Sequence, residues 1–250
     1  MKKLILFMVL AFSAGVMFGE NDKGLWDEAA RLYSEKNYEE AVGAYQQLAR
    51  HGESAPLYYN YANALFKAGY TGKAILYYER ALRLDPSNED IKYNLEFANL
   101  SKTDKIDHIE PFFVVVWYRN ITNLLTSNMW AYVSLVLFLL AMVMFLVYRF
   151  GKLLPLRKAA FGLFIALFAF YLVSMGHALY SRNMVVNNPE AILMVGSETA
   201  RSTPDDSGTE VFVIHEGTKV QVKSSVLEWS EVRLEDGKVG WIKTSSFEVI

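Results

Sequence analysis

The chain has 250 residues, with 25 Lys and Arg against 27 Asp and Glu, and 52% of it is hydrophobic. That near-neutral balance gives no support to nucleic-acid binding. There is no Cys, which excludes a disulfide, a thiol nucleophile and a Cys-based metal site.

The first element comes after Met1-Lys2-Lys3, where LILFMVLAFSAGVMFG forms a short apolar run ending in small residues. A positive start, an apolar stretch and small residues predict a secretory signal peptide over residues 1–19, or an uncleaved anchor in the same place. Either one exports the chain beyond it.

Residues 20–100 change character. Apolar residues recur at three- and four-residue spacing with Glu and Lys between them, which predicts several amphipathic helices. Tyr38, Ala41 and Tyr45 align with Thr71, Ala74 and Tyr78 at a shift of about 33 residues, and repetition at that period marks a solenoid. The second unit holds Tyr58, Tyr61, Ala62, Leu65, Gly69, Ala74, Tyr78, Ala81 and Pro86. Its small residues let two antiparallel helices approach, Gly69 opens the turn, and Pro86 ends the second helix because its ring cannot continue it. This unit resembles a tetratricopeptide (TPR) repeat. The first unit departs from the pattern, with Lys36 at the turn and Leu48 for the late Ala. The stretch NEDIKYNLEFANL after Pro86 predicts a helix that caps the stack. The resemblance implies a groove lined by the first helix of each unit, which holds Trp26, Tyr33, Tyr59, Asn63, Phe66, Lys67, Tyr93 and Phe97 as protein-binding candidates. The plain alternative is that these aromatics pack between repeats.

After a polar stretch, residues 111–127 place Phe113, Trp117, Ile121 and Leu124 on one helical stripe. They predict an amphipathic helix lying on a membrane surface, or a soluble helix under the repeats. Two uncharged apolar runs come next, 129–148 and 159–180. Each is about 20 residues, the length needed to cross the hydrocarbon layer. The loop between them, 149–158, carries Arg149, Lys152, Arg157 and Lys158 and no acid, which predicts a cytoplasmic loop. Both ends of the hairpin then lie outside the cytoplasm, an arrangement expected of a bacterial inner-membrane protein with periplasmic domains. His177 is the one ionisable group within either run, and such groups are functional candidates by default. It sits within one turn of the outer end with no acidic partner in the other run, and a bland role explains it better.

Residues 190–250 switch to short β-rich runs separated by Gly, Asp and Ser, which predicts a small barrel whose closure hides its edges. His215-Glu216-Gly217 before TKVQV, Trp229, and Asp236-Gly237-Lys238-Val239-Gly240-Trp241-Ile242 resemble a bacterial SH3-type domain. The expected fold class is therefore multidomain α plus β: an all-α TPR solenoid, a transmembrane hairpin and a small all-β barrel.

No phosphate-cradling Gly loop, metal pair or nucleophile–base set with a local signature occurs. The reading is a non-enzymatic protein without a cofactor, and His51, His108 and His215 read as surface residues. The order of elements, together with NEDIKYNLEFAN, DKIDHIEPFF and HEGTKVQV…VGWIKTSSFEVI, resembles the BatE-type proteins of aerotolerance operons in the Bacteroides group. That resemblance implies work beside von Willebrand A-type membrane proteins and a MoxR-type ATPase in oxidative-stress tolerance. The expected function is an inner-membrane scaffold, and the alternative is a peptidoglycan-binding sensor or anchor acting through the SH3-type unit.

Overall fold

A computed structural model describes residues 20–105, 112–187 and 189–250. The signal segment at 1–19, His108 and Pro111 lie outside the described residues. Five helices form the repeat region: α1 (Glu20–Ser34), α2 (Tyr38–His51), α3 (Ala55–Lys67), α4 (Thr71–Leu84) and α5 (Glu89–Leu100). Three more come after them: α6 (Phe113–Thr122), α7 (Ser127–Phe150) and α8 (Leu154–Asn187). The chain ends in strands β1 (Glu190–Leu193), β2 (Ser197–Arg201), β3 (Glu210–His215), β4 (Lys219–Val226), β5 (Trp229–Arg233), β6 (Val239–Lys243) and β7 (Phe247–Val249).

The repeat is built as its small residues dictate. Ala62, Ala74 and Ala81 are fully buried where α3 and α4 meet, and Leu65 and Tyr78 fill the space around them. Ser54 caps α3 by accepting from the Leu57 amide, and Asn88 caps α5 by accepting from the Asp90 and Ile91 amides, each satisfying helix-start donors. Gly69 turns the chain at φ 91°. In the first unit Lys36 takes the same left-handed turn at φ 66°, where a Cβ costs about 1 kcal/mol or more.

The β unit is one antiparallel sheet in the order β3-β2-β6-β5-β4-β1-β7. The expected barrel closure is not observed: β3 and β7 remain edges. Helix α4 covers the β7 side, and beyond β3 the chain turns away at Gly217, φ 84°, towards β4. Two strands beyond the five expected runs, β2 and β7, complete the sheet. Trp229 is buried and Trp241 half-buried. Gly240 is required by close approach, since a Cβ there would lie 2.9 Å from the Ala200 Cβ.

Repeat and sheet are joined along one face of α4. Gly72 donates its amide to Glu216 Oε1 at 3.0 Å, and the Ile75 Cδ1 would meet a Cβ at Gly217. Glu79 meets Lys219 at 3.1 Å, and Glu190 meets the same ammonium at 2.8 Å. Arg80 donates to Glu248 and the Val249 carbonyl, and Arg83 to the Ile250 carbonyl. Beside this stripe, the Asp104 carboxylate accepts from the His215 amide, His215 Nδ1 and Thr218 Oγ1, each at 2.7 Å. His215 is thus an interface residue rather than a free surface one. Strand β1 serves two cores by alternation. Ala191 and Leu193 enter the sheet core, while Ile192 and Met194 pack into the repeat core.

Helices α7 and α8 form a hairpin, and both are long and apolar enough to cross a membrane, with only 11% of the most apolar window of each buried. Ala141, Ala160, Ser134 and Ser174 are buried between them, where small side chains permit close backbone approach. The joining turn is shorter than the expected loop at 149–158, because Pro155 is tolerated in the first turn of α8. Helix α8 also runs past Tyr180 to Asn187, up to the residue before Asn188-Pro189, where a proline disfavours helix. In helix α6 and the turn after it the stripe residues Phe113, Trp117 and Leu124 are exposed. Val114, Val115 and Val116 are exposed too, while Tyr118 and Thr122 pack against His177. The His177 ring lies between Tyr118 and Trp130, at 5.0 and 4.9 Å between centroids. Thr122 Oγ1 donates to the Tyr118 carbonyl, so the 3.2 Å contact to His177 Nδ1 is filled by the imidazole N–H.

This geometry has two expected outcomes. Lys36→Gly relieves the left-handed strain and raises stability by about 0.5–1 kcal/mol, read as a higher denaturation midpoint with unchanged circular dichroism. Asp104→Ala removes charge-assisted hydrogen bonds and costs about 2 kcal/mol, splitting the joint unfolding of repeat and sheet into two transitions. Burial alone would raise the Asp104 pKa, but the hydrogen bonds from Thr218 and His215 hold it below the ordinary value. The stability it adds is present above its unfolded value of about 3.9 and is lost as pH falls through the lower folded value. Burial acts to lower the Lys219 pKa, yet Glu79 and Glu190 push it up to about 12. Its contribution is complete below about 10.4 and fades as pH rises through the folded value. A joint transition that stayed single in Asp104→Ala would contradict this account of the interface.

Candidate protein-binding groove

Helices α1, α3 and α5 are the first members of successive pairs. Residues at i, i+4 and i+7 share one helix face, so α1 presents Trp26, Ala30 and Tyr33; α3 presents Tyr59, Asn63 and Phe66; and α5 presents Tyr93, Phe97 and Leu100. Of the eight candidate residues, five are drawn together. The Tyr59 phenol stands close enough to Tyr33 to contribute to the rise in its pKa. Tyr59 and Asn63 share a hydrogen-bonded network, and the Phe66 and Phe97 rings meet edge to face at 5.7 Å.

The other three stand differently. Trp26 turns to Tyr45, with centroids 6.1 Å apart, and braces the first helix pair. Lys67 and Tyr93 are exposed. Three contributors escaped the sequence reading. Leu100, exposed by 72%, extends the α5 stripe by one more i+3 step and was legible from that spacing. Asn94 was not, because an Asn on a capping helix resembles any solvated residue. Tyr78 is buried between α3 and α4, yet its hydroxyl reaches the groove network.

The network fixes the polar centre of the groove. Tyr78 Oη donates to Asn63 Oδ1 at 2.6 Å. The Asn94 amide donates to the same oxygen at 3.0 Å and to Tyr59 Oη at 2.9 Å. Burial, then the neighbouring Tyr59 and Tyr33 phenols, push the Tyr78 pKa well above its usual value, so it remains a donor. Burial raises Tyr33 in the same direction, followed by Tyr38 and Tyr59. The bonds leave the Asn63 amide hydrogens and the Asn94 carbonyl oxygen free of the network. A pre-set donor and acceptor flanked by aromatic surface suit a ligand with both amide and apolar groups, which is the chemistry of a polypeptide. Immobilised aromatics also offer contact area without a large ordering cost.

Comparison with known protein families agrees with this architecture. Residues 55–88 match the family model described as tetratricopeptide repeat. The match begins with Ala55, the first residue of α3, and closes on Asn88, the cap of α5. No curated protein matches the chain. The TPR repeat at residues 55–88 points to a protein–protein interaction module, and that is the coarse functional assignment.

Proposed function

We propose that this protein is a non-enzymatic scaffold of a bacterial inner membrane, with its TPR groove holding a protein partner. Helices α7 and α8 cross the bilayer, the turn between them faces the cytoplasm, and the repeat and the SH3-type unit stand together in the periplasm. Helix α6, whose first five residues are all apolar and exposed, lies in the outer boundary of the bilayer. The resemblance to BatE-type proteins names the partner class as von Willebrand A-type membrane proteins, linked to a MoxR-type ATPase and to oxidative-stress tolerance.

One observation carries the reading. The groove keeps Tyr59, Phe66, Phe97 and Leu100 half-exposed or exposed while the Tyr78–Asn63–Asn94–Tyr59 network holds its centre rigid. The opposite face of α4 is already covered by the sheet, so a partner of the repeat has the groove as its open approach. Docked to the same body, the sheet adds no flexible second arm, and the two units act as one surface.

Replacing both Tyr59 and Phe66 with Ala removes two anchors of the kind that dominate interfaces, at about 2 kcal/mol each, on the order of a hundredfold or more in affinity together. The measurement is co-purification of the full chain with a co-expressed von Willebrand A-type membrane protein. Circular dichroism and the denaturation midpoint serve as the check on folding. Undiminished capture by the folded double variant would sink the groove reading.

A further inference from the structure

The turn joining α7 to α8 carries more charge than its contacts within the fold employ. Within residues 149–158 stand four cations and no acid. One of the four is spent on the fold. Arg157 Nε donates to the Tyr148 carbonyl at 3.1 Å, and its guanidinium sits 5.7 Å from the centre of the Tyr148 ring. It thereby satisfies an end carbonyl of α7, where positive charge is favoured. The Gly151 amide closes the same helix end on the Val147 carbonyl at 2.8 Å.

None of the other three caps a helix end, although the Arg149 guanidinium lies 5.4 Å from the centre of the Phe150 ring. Arg149, Lys152 and Lys158 are exposed. Among the described residues no ion pair includes any of them. Apolar side chains stand beside them: Phe150 and Leu153 are 72% and 68% exposed, and Leu154 is exposed too. These continue the exposed apolar surface of both helices without a break. Cations outside any ion pair, interleaved with apolar side chains at the tip of an apolar hairpin, match a boundary where acyl chains end and phosphates begin.

We propose that this turn is a binding site for the phosphate groups of anionic membrane lipids. Arg149, Lys152 and Lys158 pair with the phosphodiesters of one leaflet, and Phe150, Leu153 and Leu154 enter the acyl layer beneath them. A zwitterionic lipid carries its own cation next to its phosphate, so the turn prefers lipids with net negative charge. Each cation near an anionic surface contributes about fivefold in affinity. Arg157, already engaged, contributes little. The site rests on the membrane-crossing reading of α7 and α8, yet it is separate from the groove.

The test uses the purified full chain in detergent, offered equal amounts of phosphatidylglycerol and phosphatidylethanolamine with the same acyl chains. Lipid retention is read by native mass spectrometry. The expected result is a preference of about tenfold or more for phosphatidylglycerol, reduced toward parity in Lys152→Gln/Lys158→Gln. Millimolar inorganic phosphate is expected to leave the retained lipid in place, which separates a headgroup site in the bilayer from a site for free phosphate. Displacement by inorganic phosphate, equal retention of the two lipids by the unmodified chain, or an undiminished preference in the double variant would overturn the proposal. Carbonate extraction of membranes runs beside it. Both chains are expected in the pellet, so a loss of lipid preference with both in the pellet is the supporting result and is independent of the groove. Release of the unmodified chain would remove the membrane reading and the site with it.

Discussion

Helix α4 is covered on two sides, and the rest of the soluble architecture depends on that. One face, with Ala74, Tyr78 and Ala81, packs against its repeat partner α3. The other, running through Gly72, Ile75, Glu79 and Arg83, carries the sheet. The second face mixes Ile75 with polar residues, so its burial depends on pairing as well as on apolar area. A buried charge left alone is costly, and a paired one is tolerated. Lys219 between Glu79 and Glu190, and Asp104 beneath His215 and Thr218, meet that requirement. Each carboxylate or ammonium has its partners within hydrogen-bonding distance.

This arrangement has a directional consequence. With the back of α4 taken by the sheet, the side formed by α1, α3 and α5 stays open. There the aromatic stripes remain open, and the amide network sets their spacing. The sheet in turn needs no closed ring to protect both edges, because α4 shields the β7 side. Strand β1 makes the junction continuous: alternate residues of one apolar run, Ala191-Ile192-Leu193-Met194, belong to different cores. Repeat and sheet are thus coupled by packing as well as by ion pairs.

The hairpin obeys a different rule. Its helices touch through small residues and aromatic pairs such as Phe145 with Phe164 and Tyr148 with Phe161. Their outward faces are apolar and exposed. Its two ends are treated differently. At one end His177, Tyr118, Trp130 and Thr122 pin α6 to the pair through rings and hydrogen bonds. The other end carries the basic turn. Polar groups are satisfied internally at the first end and left open at the second.

The sequence alone determined the features that arise from local periodicity. Ala and Tyr spacing placed the second repeat, Gly69 and Pro86 bounded its helices, and two uncharged runs of bilayer length announced the hairpin. Alternation and Gly turns announced the sheet, and five of the eight groove candidates stand as neighbours. What the tertiary structure alone decided was which polar residues are drawn into an interface. Glu79, Arg83, Asp104, His215 and Lys219 have the composition of a solvated face, and no spacing within the chain links Asp104 to a histidine 111 positions later. The open edge of the sheet, the helical continuation of α8 and the packing of Tyr118 against His177 belong to the same class. Each depends on what another segment brings to the contact, and pairing across long separations leaves no local period to read.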